Sequence, residues 1–264
     1  MQSLHIGIND YPGTDRDLFG CINDAQLWES TFAQRGFETS TLLDGDATHS
    51  NMVNAMLATI GKTPPGDVTV ITYSGHGTWV LDHDGDEKDQ RDEALCPHDV
   101  TRRGPLTDDV LLQIFSSSPL KKVVFISDSC HSGTVSRFAT LDSEPTSARA
   151  RFLPPQAYLP EAALRRARAT TTSAVAPMRS TELLLAACQD DEFAYDTLFD
   201  GTAHGAFTFY ANKALQQLNP QSTFRDWMRA VRTFLPNNEL PQSPILYGTY
   251  AQRRWPLSML NKNV

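Results

Sequence analysis

Two short apolar runs, each followed at once by a potentially reactive side chain, constrain this chain more than any other feature. Residues 68–72 and 123–126 are rich in β-branched side chains, and continuous runs of this kind are typical of buried parallel strands. The first run leads into the string SGHG, which contains His76, and the second into DSCHSG, which contains Cys130. Open α/β sheets bind ligands at the carboxyl edge of their strands. We therefore expect His76 and Cys130 to lie together at that edge.

A thiol and an imidazole at one sheet edge indicate nucleophilic catalysis. Cysteine reacts as the thiolate, and a nearby base is needed to form it near neutral pH. A free cysteine more often packs as a small buried hydrophobic residue, but here both residues follow strands and both have a glycine nearby, which leaves room for a substrate backbone. His76 is the candidate general base for the thiol, or the general acid for the leaving amine; the sequence leaves these two roles open.

Attack on a carbonyl also requires donors for the oxyanion. The backbone N–H groups of Gly77 and Cys130 are the candidates, because each follows a strand end. No third member of the catalytic group can be named from the sequence. His131 is adjacent to the nucleophile, but consecutive side chains rarely point the same way, so we expect it to have a structural or gating role.

Six motifs in the chain resemble those of one known family. SGHG (74–77) and DSCHSG (128–133) resemble the two catalytic signatures of metacaspases, the caspase-like cysteine peptidases that include the bacterial orthocaspases. GCINDA (20–25) resembles the family's first-helix motif, and DE (92–93) through PHD (97–99) its segment between histidine and cysteine. CQDDE (188–192) and GAFT (205–208) resemble its small-subunit motifs. The resemblance covers most of residues 1–255 and implies an α/β fold, a caspase-like three-layer sandwich with a mostly parallel six-stranded sheet flanked by helices.

The chain is predicted to form one peptidase domain over residues 1–264, a length that suits a single α/β unit. A large-subunit-like segment spans 1–140 and a small-subunit-like segment spans 181–264. Between them, 141–180 is rich in Arg and Pro, and we expect a flexible insertion, with a helix fitting 161–168. Local patterns predict strands over 4–8, 37–43, 68–72, 123–126, 182–187 and 245–247, and helices over 21–35, 48–60, 108–115, 206–218 and 224–234. Thr48 and Thr107 are predicted N-caps, and residues 82–103 are predicted to be an acidic loop.

Charge and cysteine content narrow the possible partners and compartment. The formal net charge of −8 argues against a general nucleic-acid surface and favours basic substrates. Four cysteines (Cys21, Cys96, Cys130 and Cys188) lack the spacing of metal ligands, and a domain of this size does not require disulfides. The first residues do not resemble a signal peptide, and no run reaches transmembrane length. We therefore expect a reduced, cytoplasmic protein without nucleic-acid or membrane partners.

The resemblance implies a primary specificity pocket for Arg or Lys, unlike the pocket of animal caspases, which accepts Asp. The matching positions here are Cys21, Asp24, Ser74 and Asp128. Asp128 lies two residues before Cys130 and so shares its face of the strand end, and paired carboxylates form charge-assisted bonds with a guanidinium group. The alternative is that Asp24 and Asp128 merely cap helices or loops, since Asp24 lies near a helix N-terminus.

The acidic loop also raises the question of calcium. Asp82, Asp84, Asp86 and Glu93 match positions 1, 3, 5 and 12 of an EF-hand, but the sixth position is Glu87 instead of glycine and a strand precedes the loop. An EF-hand is therefore not expected.

A different calcium site is implied by the resemblance, because many metacaspases are activated by calcium. The matching residues are Asp92, Asp108 and Asp109. A further acidic ligand is expected shortly after the nucleophile, where this chain has Arg137, whose cation would occupy the place of the metal. No cofactor is required for the chemistry, and calcium as an activator stays open. Asp108 and Asp109 alternatively favour the first turn of a helix.

Together these features predict a cysteine endopeptidase with a Cys130–His76 dyad that cleaves proteins or peptides after Arg or Lys and acts as a monomer. Self-processing is predicted within 141–180, a mobile segment with several arginines. A catalytically silent caspase-like scaffold and a calcium-binding module without hydrolysis are the alternatives; the intact His76 and Cys130 argue against the scaffold. The preferred cleavage sites are Arg165, Arg166 and Arg168, with Arg149, Arg151 and Arg179 as alternatives.

Overall fold

The computed structural model describes residues 1–81, 91–117, 121–130, 148–159, 182–189 and 191–262. Within these ranges the helices and strands alternate along most of the chain. In order they are β1 (Gln2–Gly7), α1 (Cys21–Gln34), β2 (Glu38–Leu43), α2 (His49–Lys62), β3 (Val68–Ser74), β4 (Gly77–Leu81), β5 (Arg91–Leu95), α3 (Val100–Arg103), β6 (Leu106–Thr107), α4 (Asp108–Ser116), β7 (Lys122–Asp128), β8 (Arg149–Ala150), β9 (Leu183–Ala186), β10 (Tyr195–Phe199), β11 (Thr202–Gly205), α5 (Ala206–Gln217), α6 (Phe224–Val231) and β12 (Ile245–Tyr247).

The central sheet has six strands in the order β12-β9-β7-β3-β1-β2. Every neighbouring pair is parallel except β12 and β9, which are antiparallel. The strands at the centre, β3 and β7, are buried over nearly their whole length, as expected for a parallel sheet covered on both faces. The prediction of a mostly parallel six-stranded sheet is confirmed.

Helices cover both faces of this sheet and form a separate hydrophobic core on each. On one face, α1, α5 and α6 contribute Trp28, Phe207 and Trp227. On the other, α2 and α4 contribute Met52 and Phe115. Two apolar layers against one sheet give the three-layer arrangement that the sequence predicted. No helix in the described part of the chain combines the length and apolar character needed to cross a membrane.

Both threonines predicted as N-caps precede a helix, but only one of them caps it with its side chain. The Thr48 hydroxyl accepts a hydrogen bond from the Asn51 N–H at 3.3 Å, as predicted for an N-cap. Thr107 is the N-cap residue of α4, as predicted, but its side chain forms no cap hydrogen bond. Thr107 is also the last residue of β6, and its pairing with Ala94 of β5 fixes its conformation.

Two small antiparallel sheets flank the central one and were not predicted. Strands β4, β5 and β6 form the first, and β11, β10 and β8 form the second. The predicted acidic loop over 82–103 is therefore wrong for its second half, where β5 pairs with β4 and α3 follows. The first small sheet starts at Gly77, shortly after β3 ends, and Arg151, which follows β8 of the second, contacts Gly77 and Cys130 at the carboxyl edge of β3 and β7.

The structure also differs from the expectation of a flexible insertion. Strand β8 and the residues after it, up to 159, pack into the domain, and Arg151 and Leu153 are fully buried. The helix expected over 161–168 lies outside the described residues.

Candidate active site

The two predicted catalytic residues follow paired positions on neighbouring strands. In the register of β3 and β7, Ser74 lies opposite Asp128. His76 and Cys130 each come two residues later, so both lie at the same carboxyl edge. Both are buried, with exposed fractions of 1% and 0%. The structure thus places the two residues that the sequence selected at one edge of the sheet.

The predicted oxyanion donors converge on a single carbonyl group. The N–H of Gly77 donates to the Arg151 carbonyl oxygen at 3.0 Å, and the N–H of Cys130 donates to the same oxygen at 3.2 Å. Two backbone donors on one carbonyl, beside a cysteine, form the arrangement that stabilises a tetrahedral oxyanion. Nothing in the sequence indicated that a carbonyl of this chain occupies that position.

A backbone carbonyl orients His76 and fixes which of its nitrogens carries hydrogen. Nε2 lies 2.5 Å from the Arg16 carbonyl oxygen, and because a carbonyl oxygen can only accept, Nε2 is the donor. Nδ1 is then the basic nitrogen, and it is buried. Burial lowers the pKa of His76 to about 4, against the opposing effect of the Arg16 carbonyl. The imidazole is therefore neutral near pH 7 and able to accept a proton.

Two buried tyrosines hold the backbone of His76. The Tyr11 hydroxyl accepts from the His76 N–H at 2.7 Å, and the Tyr73 hydroxyl donates to the His76 carbonyl at 2.7 Å. The ring centroids of Tyr11 and His76 are 4.6 Å apart. A Cβ at Gly75 would lie 2.6 Å from both hydroxyl oxygens, so this position requires glycine. Sequence analysis missed the Arg16 carbonyl and both tyrosines, since none belongs to a reactive motif.

Cys130, the candidate nucleophile, lies next to a second cysteine. Cys130 Sγ is 3.8 Å from the Ala194 carbonyl oxygen, and Cys188 Sγ is 3.5 Å from the carbonyl oxygen of Glu192. A hydrogen bond with Cys130 is the main reason that the pKa of Cys188 is raised well above its ordinary value, with burial second. All four cysteines are free and buried.

An acidic pocket at the same sheet edge as Cys130 encloses the Arg151 guanidinium group, which is fully buried. Its Nη2 lies 2.7 Å from Asp24 Oδ2 and 3.0 Å from Asp196 Oδ1, and its Nη1 lies 3.4 Å from Asp128 Oδ2. Nη1 also donates to the Ser74 hydroxyl at 2.5 Å. Three carboxylates around one cation compensate for its loss of hydration.

The predicted pocket residues Asp24, Ser74 and Asp128 therefore all contact one guanidinium group. The fourth, Cys21, lies at the same place: it is fully buried, and burial raises the pKa of its thiol while the nearby Arg151 lowers it. Asp196 was missed, because a lone acidic residue in β10 carries no local signal.

Backbone and side-chain donors hold each carboxylate of the pocket in place. Asp24 accepts from the Ser74 hydroxyl at 2.6 Å and from His204 Nδ1 at 2.9 Å. Asp196 accepts from the Gly20 N–H at 3.0 Å. The Asp24 carboxylate faces the pocket from the first turn of α1, so helix capping does not account for it.

Asp128 has both roles that the sequence left open, since it binds the start of a helix and also faces the acidic pocket. Its Oδ2 accepts from the Thr208 N–H in the first turn of α5 at 2.8 Å, and it also faces Arg151. Burial raises the pKa of Asp128 to about 6, although Arg151 acts in the opposite direction. A Cβ at Gly205 would collide with the Asp128 carboxylate and the Arg151 guanidinium group, so the pocket requires glycine there.

The residues proposed for calcium are near one another but do not form a metal centre. Burial raises the pKa of Asp108 to about 7, and Asp92 contributes to the same shift. Carboxylate oxygens are suitable ligands for Ca²⁺. Among the described residues, however, no group of three or more His, Cys, Asp or Glu side chains is arranged to hold a metal ion. The acidic residues there, Asp109 included, therefore do not by themselves fit the ion.

Several residues singled out in the sequence lie outside the described ranges. They are Asp82, Asp84, Asp86, Glu87, His131, Arg137, Arg165, Arg166, Arg168 and Arg179.

A parallel sheet that presents a cysteine, an oriented histidine and two convergent backbone N–H donors at its carboxyl edge is the arrangement expected of the caspase-like fold. The family comparison agrees: the caspase domain family, Peptidase C14, matches residues 3–264. The chain therefore belongs to the caspase domain family.

Within this family, the chain is similar to metacaspases. Metacaspase-1 of Schizosaccharomyces pombe is 29% identical over 288 residues, covering 91% of this chain and 66% of the relative. Metacaspase-1 of Saccharomyces cerevisiae is 38% identical over 148 residues, covering 51% of this chain and 34% of the relative. The chain thus spans between one third and two thirds of the length of these relatives. The resemblance to metacaspases is confirmed.

Solved structures show the same fold. A protein from Geobacter sulfurreducens matches with a TM-score of 0.74 and 27% identity over 97% of both chains. Caspase-1 from Spodoptera frugiperda matches with a TM-score of 0.59 over 94% of this chain and 85% of its own, at 11% identity. The second likeness is one of fold alone.

Proposed function

We propose that this protein is a cysteine endopeptidase that uses Cys130 and His76 and cleaves peptide bonds after Arg or Lys. One observation carries the proposal. The guanidinium group of Arg151 lies among three carboxylates, while the carbonyl of the same residue accepts hydrogen bonds from Gly77 and Cys130. An arginine side chain and its own carbonyl thus fill the two positions that a P1 residue needs.

The first chemical step is thiolate formation. Nδ1 of the neutral His76 takes the proton of the Cys130 thiol, and the Nε2–H bond to the Arg16 carbonyl holds the ring in the required tautomer. The thiolate then attacks the P1 carbonyl carbon. Negative charge develops on the carbonyl oxygen, where the N–H groups of Gly77 and Cys130 stabilise it; loss of one such donor typically costs about 10²–10³ in kcat.

Collapse of this intermediate completes the reaction. The C–N bond breaks, the leaving amine takes the proton from the His76 imidazolium, and a thioester remains on Cys130. Water, deprotonated by His76, hydrolyses the thioester and restores the free thiol. His76 is therefore the base first and the acid second.

The pocket accounts for the proposed preference at P1. A cation donates hydrogen bonds to Asp24 and Asp196, and these two carboxylates and that of Asp128 compensate its charge. An Asp side chain would instead bury a fourth negative charge among them. Arginine fits best, because its planar fork contacts two carboxylates through one nitrogen and a hydroxyl through the other.

Calcium activation stays a proposal from the family resemblance, and no step above depends on it. Titration calorimetry of the Cys130→Ala protein with calcium alone tests it directly. The monomeric state and the cytoplasmic location stay predictions from the sequence, as does self-processing within 141–180.

Affinity labelling separates the proposed enzyme from a silent scaffold. A peptidyl arginyl chloromethyl ketone should alkylate the wild-type protein once, at Cys130, as read by intact mass and peptide mapping. Cys130→Ala should gain no mass, and an aspartyl chloromethyl ketone should not label the wild type. Failure of the arginyl reagent to label a protein already incubated for self-processing would contradict the proposed function.

A further inference from the structure

Residues 149–153 run through the active site in an extended conformation. On one side of the pocket, Arg149 and Ala150 pair with β10, and the Arg151 N–H donates to the Ala194 carbonyl at 2.9 Å. On the other side, the Leu153 N–H donates to the Gly77 carbonyl at 2.9 Å. Backbone pairing before and after one residue is how an extended peptide adds to a sheet edge.

Four side chains of this segment each have a separate contact surface. Arg149 lies over the Phe19 ring, 4.0 Å from its centroid, and donates to the Asp17 carbonyl at 2.6 Å. Arg151 occupies the acidic pocket. Phe152 packs near Phe193 at 6.2 Å between ring centroids. Leu153 is fully buried. In the register set by Arg151 as P1, Arg149 is P3, Phe152 is P1′ and Leu153 is P2′.

We infer that residues 149–153 are an intramolecular substrate and that the peptide bond between Arg151 and Phe152 is the bond that this protein cuts in itself. The inference rests on the proposed function and names the bond. It differs from the sequence preference for Arg165, Arg166 and Arg168, because Arg151, alone among the described arginines, has both its side chain in the pocket and its carbonyl on the oxyanion donors.

The cut follows the chemistry given above, with the chain as its own substrate. Cys130 Sγ bonds to the Arg151 carbonyl carbon, the bond from that carbon to the Phe152 nitrogen breaks, and the new amine of Phe152 takes the proton from His76. Hydrolysis of the thioester consumes one water and leaves a carboxylate at Arg151. No oxidant, reductant or cofactor enters the balance.

Occupation of the pocket also makes the uncut chain latent. A tethered arginine competes with external peptides at the effective concentration of an intramolecular ligand, about millimolar for a short connection. Hydrolysis of external substrates should therefore rise as the uncut chain disappears. It should begin without delay in Arg151→Ala, where the pocket has no tethered occupant.

The experiment follows cleavage of the purified full chain, with and without calcium, by intact mass and N-terminal sequencing. The wild type should yield a fragment that begins Phe-Leu-Pro-Pro, at a rate constant unchanged over a tenfold range of protein concentration. Cys130→Ala and Arg151→Ala should not yield it, and Arg151→Lys should yield it more slowly. The matched control is the triple variant Arg165→Ala, Arg166→Ala, Arg168→Ala, which should cut at Phe152 like the wild type.

The outcomes separate this inference from the proposed function. A protein that hydrolyses P1-Arg peptides but stays whole, or whose new N-terminus is not Phe152, overturns the inference and leaves the proposed function standing. A protein that neither cuts itself nor hydrolyses any P1-Arg or P1-Lys peptide overturns both.

Discussion

At the scale of single residues, the site depends on how buried charges are compensated. Arg151 is fully buried and faces three carboxylates, each of which also accepts hydrogen bonds from other parts of the chain. Removing one member of such a group leaves the others uncompensated, which costs more than the interaction itself is worth. Substitutions in the pocket should therefore affect arginine binding far more than similar changes on the surface.

Asp196→Asn tests the carboxylate that the sequence did not reveal. We expect kcat/KM for P1-Arg peptides to fall about 10- to 100-fold, because a charge-assisted hydrogen bond contributes about 1.5–3 kcal/mol. The matched control is Asp200→Asn, an exposed residue of the turn between β10 and β11, which should leave kcat/KM unchanged. Equal kcat/KM in Asp196→Asn and wild type would exclude Asp196 from the pocket.

Gly205→Ala tests the space that the guanidinium group needs. The added methyl group would collide with the Asp128 carboxylate and with a bound arginine. Hydrolysis of P1-Arg peptides should fall at least tenfold while circular dichroism still shows a folded protein. Gly61→Ala is the control, because a Cβ at Gly61 in α2 meets no atom of the described residues within 4 Å, and it should retain full activity. Undiminished hydrolysis by Gly205→Ala would contradict the arrangement.

At the scale of elements, the long buried strands and amphipathic helices could be predicted and the short strands could not. The central strands are recognisable because they are continuous apolar runs, and the bounds predicted for β12 agree with those observed. Strands β6 and β8 have two residues each and exist only because of their partners. Thr107 precedes α4 as predicted, but it makes no side-chain cap bond, and its backbone pairs with Ala94 in β5.

Strand β1 carries a buried histidine that should make folding sensitive to acid. His5 bonds to the hydroxyl groups of Ser3 and Thr72, and burial lowers its pKa from 6.5 to about 3. Between these values the unfolded chain binds the proton and the folded chain does not, so stability is lost as the pH falls below 6.5.

His5→Gln keeps a polar side chain and removes the titration. From pH 7.5 to 5, the wild type should lose about 2 kcal/mol more unfolding free energy than His5→Gln, because one pKa unit corresponds to about 1.4 kcal/mol. Urea unfolding at the two pH values measures both proteins, and all other titrating groups cancel in the difference. Parallel pH dependence in the two proteins would show that His5 titrates equally in both states.

At the scale of the whole molecule, the site combines segments that are far apart in the sequence. His76 and Cys130 could be predicted to meet because both follow neighbouring strands. That Asp24, Ser74 and Asp128 meet in one pocket could be predicted only from the family resemblance. The Arg16 carbonyl, Asp196 and Arg151 reach the site from loops and small sheets whose positions depend on the complete fold. No local pattern indicates such positions.

The most direct test of a basic-specific cysteine endopeptidase is a set of fluorogenic peptides that differ only at P1. Protein incubated until self-processing is complete should hydrolyse the Arg and Lys peptides, with Arg faster, and should not hydrolyse the Asp peptide. Cys130→Ala, treated in the same way, should hydrolyse none of them. Comparable hydrolysis of the Asp and Arg peptides, or equal hydrolysis by Cys130→Ala and the wild type, would contradict the account.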